Sequence, residues 1–195
     1  MLLTAIAERA EMRGWISVNV TDRDGMLSEI IVQLRQKASH ILAPETNSWL
    51  SEIHVHGVGF TRTREEVPST WRADMTKAVS ELNEKDAGLL ITVDEASAQS
   101  DELPVLIDSF QHFVRERRDV ALLLAGLPHN VSTLIDVDAI SFLRRAFKHT
   151  MDQISATDSS YAIKETVEGA GRGIAAPALK VAADASEAMP SSYSF

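Results

Sequence analysis

Two short and entirely uncharged runs constrain the fold of this chain more than any other feature. They are residues 89–93 (LLITV) and 120–125 (VALLLA). Apolar runs of this length are typical of strands buried on both faces of a parallel sheet. Segments with helical periodicity separate them, and parallel neighbours need such crossovers. We therefore predict an α/β fold, a three-layer parallel sheet with helices on both faces.

The rest of the chain continues this alternation. Helical periodicity covers residues 2–13, 102–118 and 137–147, and further helical segments begin at Met26 and Pro68. Asp24 is placed to cap the helix that begins at Met26. Strand patterns cover 15–20 and 53–60, and a short last strand is predicted at 148–154. The remainder alternates alanine-rich helix with glycine. It predicts a small helical C-terminal subdomain at 156–195, after a core domain at 1–155.

The helical stripes indicate which residues face the core. In the first helix the inward positions are Leu2, Leu3, Ile6, Ala7 and Ala10. In the helix at 102–118 they are Leu103, Leu106, Ile107, Phe110 and Val114.

Composition and charge exclude several classes of function. The chain contains no cysteine, which excludes a disulfide framework, thiolate metal sites and a cysteine nucleophile. Its net charge of −9 argues against broad nucleic-acid binding, which needs a basic face. No apolar run approaches the roughly 20 residues of a membrane helix. The apolar start carries no basic region of the signal-peptide kind, so we expect a cytoplasmic protein without a membrane segment.

Two acidic residues, Asp94 and Glu95, directly follow the run at 89–93. In parallel sheets, ligands bind beyond the carboxyl ends of the strands. One acid of such a pair can hold Mg²⁺, directly or through water, while the next orients and deprotonates an attacking water. The alternative interpretation is that acidic residues simply begin the loop after a strand.

With these residues the chain resembles the AAA+ and related STAND ATPases, which belong to the P-loop NTPases. Residues 89–95 (LLITVDE) look like the family's Walker B motif, and 122–128 (LLLAGLP) like its next core strand, which leads to a sensor position. Residues 141–146 (SFLRRA) look like the segment that carries an arginine near the γ-phosphate. The helix at 2–13 resembles the one that follows a P-loop. The resemblance spans about residues 2–185.

The resemblance implies an ATP-binding protein, a hydrolase with ATP as its partner and Mg²⁺ as its cofactor. Asp94 would help hold Mg²⁺, and Glu95 would activate water. Arg144 or Arg145 would act near the γ-phosphate of its own or a neighbouring site. Adjacent helical residues point about 100° apart, so at most one of the two arginines is expected to serve. The alternative interpretation makes both of them solvated groups on an amphipathic helix.

The phosphate-binding signature GxxxxGK[ST] is absent from the 195 residues. That loop supplies backbone N–H groups, a lysine and a hydroxyl that phosphates and Mg²⁺ require. In the family it lies immediately before residue 1, with the central strand of the sheet. One hypothesis is therefore that Met1 is an internal or misassigned start of an ATPase. The alternative is a non-catalytic interaction module, or a truncated remnant, that does not bind nucleotide.

Two further expectations follow from the missing strand and the missing sensor residue. Without its central strand the sheet would have a gap, and exposed apolar edges would favour self-association or a protein partner. The polar sensor residue expected near Ala125 or Gly126 is missing unless His129 or Asn130 substitutes for it.

The remaining candidates have weaker patterns. His54 and His56 share one side of the predicted strand at 53–60 and begin a metal site if Glu52 or Glu65 joins them. Two solvent-facing histidines on an edge strand are the alternative.

Ser97 and Ser100 form no catalytic triad, because no GxSxG motif is present. The basic segment at 115–118 (RERR) is either a contact surface for a nucleic acid or protein, or a solvated helix end.

Overall fold

The computed structural model describes residues 2–44, 46, 67–136, 138–151 and 155–187. Within these ranges, strands β1 (Ile16–Thr21), β2 (Leu89–Asp94) and β3 (Val120–Leu124) form one parallel sheet in the order β1-β2-β3. The register pairs Ile16 with Leu89, and Leu89 with Val120. The predicted α/β class and parallel sheet are confirmed. β2 pairs directly with both of its neighbours, so these three strands are contiguous.

Helices surround this sheet and form the C-terminal part. They are α1 (Leu2–Glu11), α2 (Met26–Ala38), α3 (Val67–Glu84), α4 (Leu103–Arg115), α5 (Pro128–Asp136), a 3₁₀ helix (Asp138–Arg145), α6 (Ala156–Gly169) and α7 (Ala176–Glu187). None of the described helices is long and apolar enough to cross a membrane.

Two compact units make up the chain, residues 1–146 and 147–195. The second contains α6 and α7, which contact each other. The predicted strand at 148–154 is wrong for residues 148–151, which have no regular secondary structure; residues 152–154 lie outside the described part. The predicted strand at 53–60 also lies outside the described residues.

The helix predicted at 137–147 is a 3₁₀ helix from Asp138 to Arg145. Its last turn shows the tighter pattern, because the Ala146 N–H donates to the Leu143 carbonyl at 3.0 Å, three residues back.

The main core lies between one face of the sheet and helices α2, α3 and α4. Its fully buried members include Val18, Met26, Ile30, Leu34, Met75, Val79, Leu82, Ile91, Val93, Leu103, Leu106 and Ile107. Burying each such aliphatic side chain stabilises the fold by about 1.5–3 kcal/mol. The Trp71 indole N–H donates to the Leu27 carbonyl at 3.0 Å and ties α3 to α2.

The opposite face of the sheet is more polar and carries α1. The Ser17 hydroxyl donates to the Glu11 carboxylate at the end of α1, and the Thr92 hydroxyl donates to Asn19 Oδ1 at 2.7 Å. Of the predicted inward stripe of α1 only Ala7 is buried. Leu2 is 51% exposed and Ile6 is 36% exposed, so the prediction is wrong for both. This helix contacts β1 and β2, where the sheet offers polar partners.

The two predicted core strands differ in how deeply they are buried. The first five residues of β2 are buried, as predicted. All five residues of β3 are only partly buried, so the prediction of a strand buried on both faces is wrong there. The reason is position, because β3 is the last strand of the described sheet.

At the end of α4 the buried position differs from the predicted one. Phe113 is 1% exposed, whereas Val114 is 42% exposed. Both positions continue the spacing from Phe110, and the larger side chain enters the core. Phe110 packs edge-on against Phe142, with ring centroids 6.1 Å apart.

Candidate functional site

The acidic pair lies at the carboxyl end of the central strand. Asp94 is the last residue of β2 and Glu95 follows it, and both side chains are exposed. Asp94 Oδ1 accepts a hydrogen bond from the Glu95 N–H at 2.9 Å. Both carboxylates therefore stand at the edge of a parallel sheet where ligands bind in α/β folds.

The backbone of Glu95 is left-handed, with φ 58°. Two other non-glycine residues with positive φ, Asp86 and Arg117, end helices, where this conformation is common. Glu95 follows a strand instead, and for such a residue the conformation costs about 1–2 kcal/mol. Strain of this kind clusters at functional sites.

The turn at Glu95 is held against the end of β3. The Ala96 N–H donates to the Ala125 carbonyl at 2.8 Å. A Cβ at Gly126 would lie 2.7 Å from the Ala96 carbonyl oxygen, so the two segments approach more closely than any larger residue allows. Glu95 is thereby fixed between the carboxyl ends of β2 and β3.

A cavity of about 380 Å³ opens beside Asp94. Its lining consists of the first turn of α1, the end of β1 and the end of β2, through Leu2, Leu3, Thr4, Asn19, Val20, Thr21, Thr92 and Asp94. The first backbone N–H groups of a helix have no partner within it and carry a partial positive charge. The cavity thus combines a helix N-terminus with a carboxylate.

Polar groups fix the floor of this cavity. The Thr92 hydroxyl donates to Asn19 Oδ1, as described above. The backbone N–H of Asn19 donates to Gln33 Oε1 at 3.1 Å, and its carbonyl accepts from Gln33 Nε2 at 2.7 Å. Neighbouring strands and α2 therefore hold the floor in one arrangement.

A second strand contributes a carboxylate that the sequence patterns did not single out. Asp22 directly follows β1, as Glu95 follows β2, and its N–H donates to the Asp94 carbonyl at 2.9 Å. Its Oδ2 accepts the Ser97 N–H at 2.9 Å, while its Oδ1 is buried with no hydrogen-bond partner in the described part of the chain. The position directly after a strand is the signal that identifies it, one residue beyond Thr21, which the parallel register pairs with Asp94.

The cavity has one carboxylate in its lining, that of Asp94. Among the described residues, no group of three or more histidine, cysteine, aspartate or glutamate side chains is close enough to hold a metal ion. Mg²⁺ in phosphate-handling proteins usually takes one or two carboxylates together with phosphate oxygens and water. Asp94 supplies one such carboxylate at the cavity.

The predicted arginines lie in the 3₁₀ helix. Both side chains are exposed, and Arg144 Nε donates to the Ile135 carbonyl at 3.4 Å. Neither arginine is among the residues that line the cavity.

The sensor candidates His129 and Asn130 lie in the first turn of α5, just beyond β3. His129 is exposed, and its carbonyl accepts the Thr133 hydroxyl at 2.9 Å. They stand at the same edge of the sheet as Asp94.

The serines near the acidic pair have local structural roles. The Ser100 hydroxyl accepts the Leu103 N–H at 3.0 Å, at the start of α4, and the Ser97 hydroxyl accepts the Gln99 N–H at 3.2 Å.

The basic segment after α4 includes an ion pair between Arg118 and Glu116 at 3.3 Å. His54, His56, Glu52 and Glu65 lie outside the described residues.

The sequence also missed Glu102. Its carboxylate accepts the Gly25 N–H at 2.9 Å and the Leu27 N–H at 2.8 Å. The N-cap residue of α2 is Gly25, with φ 86° and no side-chain bond of its own, so the predicted cap Asp24 is wrong. Glu102 fixes the loop from 96 to 102 over the start of α2, and that loop begins at the acidic pair.

Comparison of the chain with protein-family models, with curated proteins and with solved structures finds no match.

Proposed function

We propose that this chain is most of an ATP-binding domain of the AAA+ type, a P-loop NTPase in which Asp94 helps hold Mg²⁺ and Glu95 activates the attacking water. The observation that carries this proposal is the cavity shared by Asp94 and the first turn of α1 at the carboxyl end of a parallel sheet. Phosphates bind at helix N-termini through backbone N–H groups and the helix dipole. A carboxylate beside them is suited to the metal ion that accompanies a nucleotide.

The position of Glu95 supports its part in this function. Its exposed carboxylate follows Asp94, and the contact between Ala96 and Ala125 holds its turn. A base of this kind must reach a water next to the phosphate, at about 2.6–3.2 Å between heavy atoms. A rigid, strained turn can direct a carboxylate toward such a water.

Turnover also requires phosphate contacts that these 195 residues do not contain, because the GxxxxGK[ST] signature is absent. In a form that supplies the loop, Glu95→Gln is expected to keep ATP binding and lose hydrolysis. Equal hydrolysis by that variant would remove Glu95 from the mechanism.

The absent loop favours a second candidate function, a non-catalytic interaction module. Hydrogen bonds to charged groups contribute about 1.5–3 kcal/mol each, so losing several of them would abolish useful nucleotide affinity. The two candidates differ in whether the 195-residue chain responds to Mg-ATP at all.

Thermal unfolding with increasing Mg-ATP distinguishes them, because a ligand that binds the folded state raises its stability. The ATPase proposal expects a rise that Asp94→Asn diminishes. Asp119→Asn is the matched control, since Asp119 is an exposed acid just before β3, at the opposite edge of the sheet. A chain that shows no rise would support the interaction module, and an equal rise in both variants would remove Asp94 from the nucleotide site.

A further inference from the structure

The backbone of the turn that carries Glu95 is bonded on both sides. Toward β3, the Ala96 N–H donates to the Ala125 carbonyl at 2.8 Å. Toward β1, the Asp94 carbonyl accepts the Asp22 N–H at 2.9 Å. Within the turn, the Glu95 N–H donates to Asp94 Oδ1 at 2.9 Å. The peptide groups on either side of Glu95 therefore have fixed partners.

The next amide of this turn depends on a side chain from another strand. The Ser97 N–H donates to Asp22 Oδ2 at 2.9 Å. The other oxygen, Asp22 Oδ1, is buried and has no hydrogen-bond partner in the described part of the chain. A buried acceptor without a partner lowers stability, and such a group in a native fold calls for an explanation.

Asp22 binds the turn at two points that are three residues apart. In many β-turns the carbonyl of the first residue accepts the N–H of the fourth. Here the corresponding groups are the Asp94 carbonyl and the Ser97 N–H, and each of them binds Asp22 instead. Glu95 lies between these two points with its left-handed backbone, φ 58°. The end of β1 thus fixes both ends of the segment that contains Glu95.

We propose that Asp22 is a positioning residue, whose carboxylate holds the left-handed turn at Glu95 through the Ser97 N–H. Asp22 is not among the residues that line the cavity beside Asp94, so its effect on the site passes through the turn. Its consequence for ATP hydrolysis rests on the proposed function. Its consequence for the conformation of the turn does not.

The conformational part is measured on the 195-residue chain by comparing Glu95→Gly with Glu95→Ala in several backgrounds. Glycine adopts a left-handed backbone without the steric cost that alanine meets. In the otherwise unaltered chain, the glycine variant should therefore have an unfolding equilibrium constant about fivefold smaller. In the Asp22→Ala background the turn can relax, so this difference should disappear or reverse. Two sites that act through one contact are expected to be non-additive in this way.

Two further backgrounds separate the bond to Ser97 from a general loss of stability. Asp22→Asn keeps a side-chain oxygen that can accept the Ser97 N–H, and it should retain the difference between glycine and alanine. Ser97→Ala removes a hydroxyl that accepts the Gln99 N–H but keeps the backbone N–H, and it should retain the difference as well. Amide exchange at Ser97 should become faster in Asp22→Ala, while the amide of Ala96, bonded to Ala125, should change less.

Urea unfolding of the paired variants in all four backgrounds decides the proposal. The same difference between glycine and alanine in every background would overturn it, because the contact with Ala125 would then hold the turn alone. No difference in the otherwise unaltered chain would also overturn it, because there would be no left-handed turn to hold.

The catalytic consequence is measured in a form that supplies the phosphate-binding loop. Displacing a catalytic group can lower turnover about 100-fold, so Asp22→Ala should lower kcat by about 10- to 100-fold with little change in the KM for ATP. Asp22→Asn should restore most of the turnover. Unchanged kcat in Asp22→Ala would overturn the role of Asp22 in the reaction. If the unaltered form did not hydrolyse ATP, the proposed function would fail, and the unfolding comparison would still decide whether Asp22 holds the turn.

Discussion

The side-chain amide of Gln33 takes the place of a neighbouring strand at Asn19. It donates to the Asn19 carbonyl at 2.7 Å and accepts the Asn19 N–H at 3.1 Å. Asn19 in turn accepts the Thr92 hydroxyl on β2. A side chain on α2 therefore completes the sheet at the floor of the candidate nucleotide cavity.

Removing this amide should destabilise the sheet measurably. Gln33→Ala loses the two hydrogen bonds to the Asn19 backbone and a third to the Glu29 carboxylate at 3.2 Å. Each has a net contribution of about 0.5–1.5 kcal/mol, and the exposed setting favours the lower end. We expect a loss of about 1 kcal/mol in the free energy of unfolding. Urea unfolding followed by tryptophan fluorescence measures it, since Trp15 and Trp71 lie in unit 1–146. Gln36→Ala, on the exposed side of the same helix, is the control, and an equal loss in both variants would contradict the role of Gln33.

The Glu102 carboxylate should behave as a remote helix cap. Glu102→Ala leaves the N–H groups of Gly25 and Leu27 without their acceptor, and loss of a helix cap costs about 0.5–2 kcal/mol. Glu102→Gln keeps one acceptor oxygen and loses the charge that favours a helix N-terminus, so its loss should be intermediate. Urea unfolding of the unaltered chain, Glu102→Gln and Glu102→Ala measures this order of stability. Equal stability of the glutamine and alanine variants would reject the contribution of the remaining acceptor.

The predictable part of the fold depends on patterns that are local in sequence. Residues 89–93 identify β2 because five uncharged residues in succession have few other ways to be buried. Asp94 and Glu95 follow directly, so the order of residues brings them to the sheet edge. The same reasoning predicts that apolar residues of β3 are buried, but their burial depends on what lies beside the strand. That dependence explains why the prediction succeeds for β2 and fails for β3.

The missed contributions join residues far apart in the chain. Gln33 reaches Asn19 across 14 residues, and Glu102 reaches Gly25 across 77. No spacing rule identifies such pairs, because the partner is chosen by tertiary packing. Asp22 is the exception, since an acid directly after a strand repeats the pattern at Glu95. Reading both strands for the same signal would have identified it.

The carboxylate of Glu11 should make stability depend on pH. Its pKa lies below its ordinary value of 4.5, first because the Ser17 hydroxyl donates to it and second because Lys37 Nζ binds it at 3.1 Å. A lowered pKa in the folded state adds stability at neutral pH, and that stability is lost as the pH falls from about 4.5 through the folded pKa. The side chain is 45% exposed, so solvent screening keeps the contribution below about 1 kcal/mol.

Unfolding of the unaltered chain and of Glu11→Gln across this pH range measures the effect. The difference in unfolding free energy should be largest near neutral pH and should shrink in acid. Glu8→Gln removes an exposed carboxylate from the same helix and should show no comparable change. A difference that stays constant with pH would mean that Glu11 contributes through packing alone.

The left-handed backbone at Glu95 should lower the stability of the fold while it positions the carboxylate for function. Glycine adopts φ 58° without the steric cost that other residues meet, so Glu95→Gly should be more stable than Glu95→Ala by about 1 kcal/mol. Asp86→Gly, compared with Asp86→Ala, is the matched control, because Asp86 has φ 57° at the end of a helix and should gain similarly. Urea unfolding of the four variants provides the comparison. If Glu95→Gly is no more stable than Glu95→Ala while the Asp86 pair differs, the turn at the acidic pair is not strained. Glu95→Gly can also be tested for ATP hydrolysis in a form that supplies the phosphate-binding loop. If this variant is more stable than Glu95→Ala and has lost hydrolysis, the strained turn serves to present the Glu95 carboxylate.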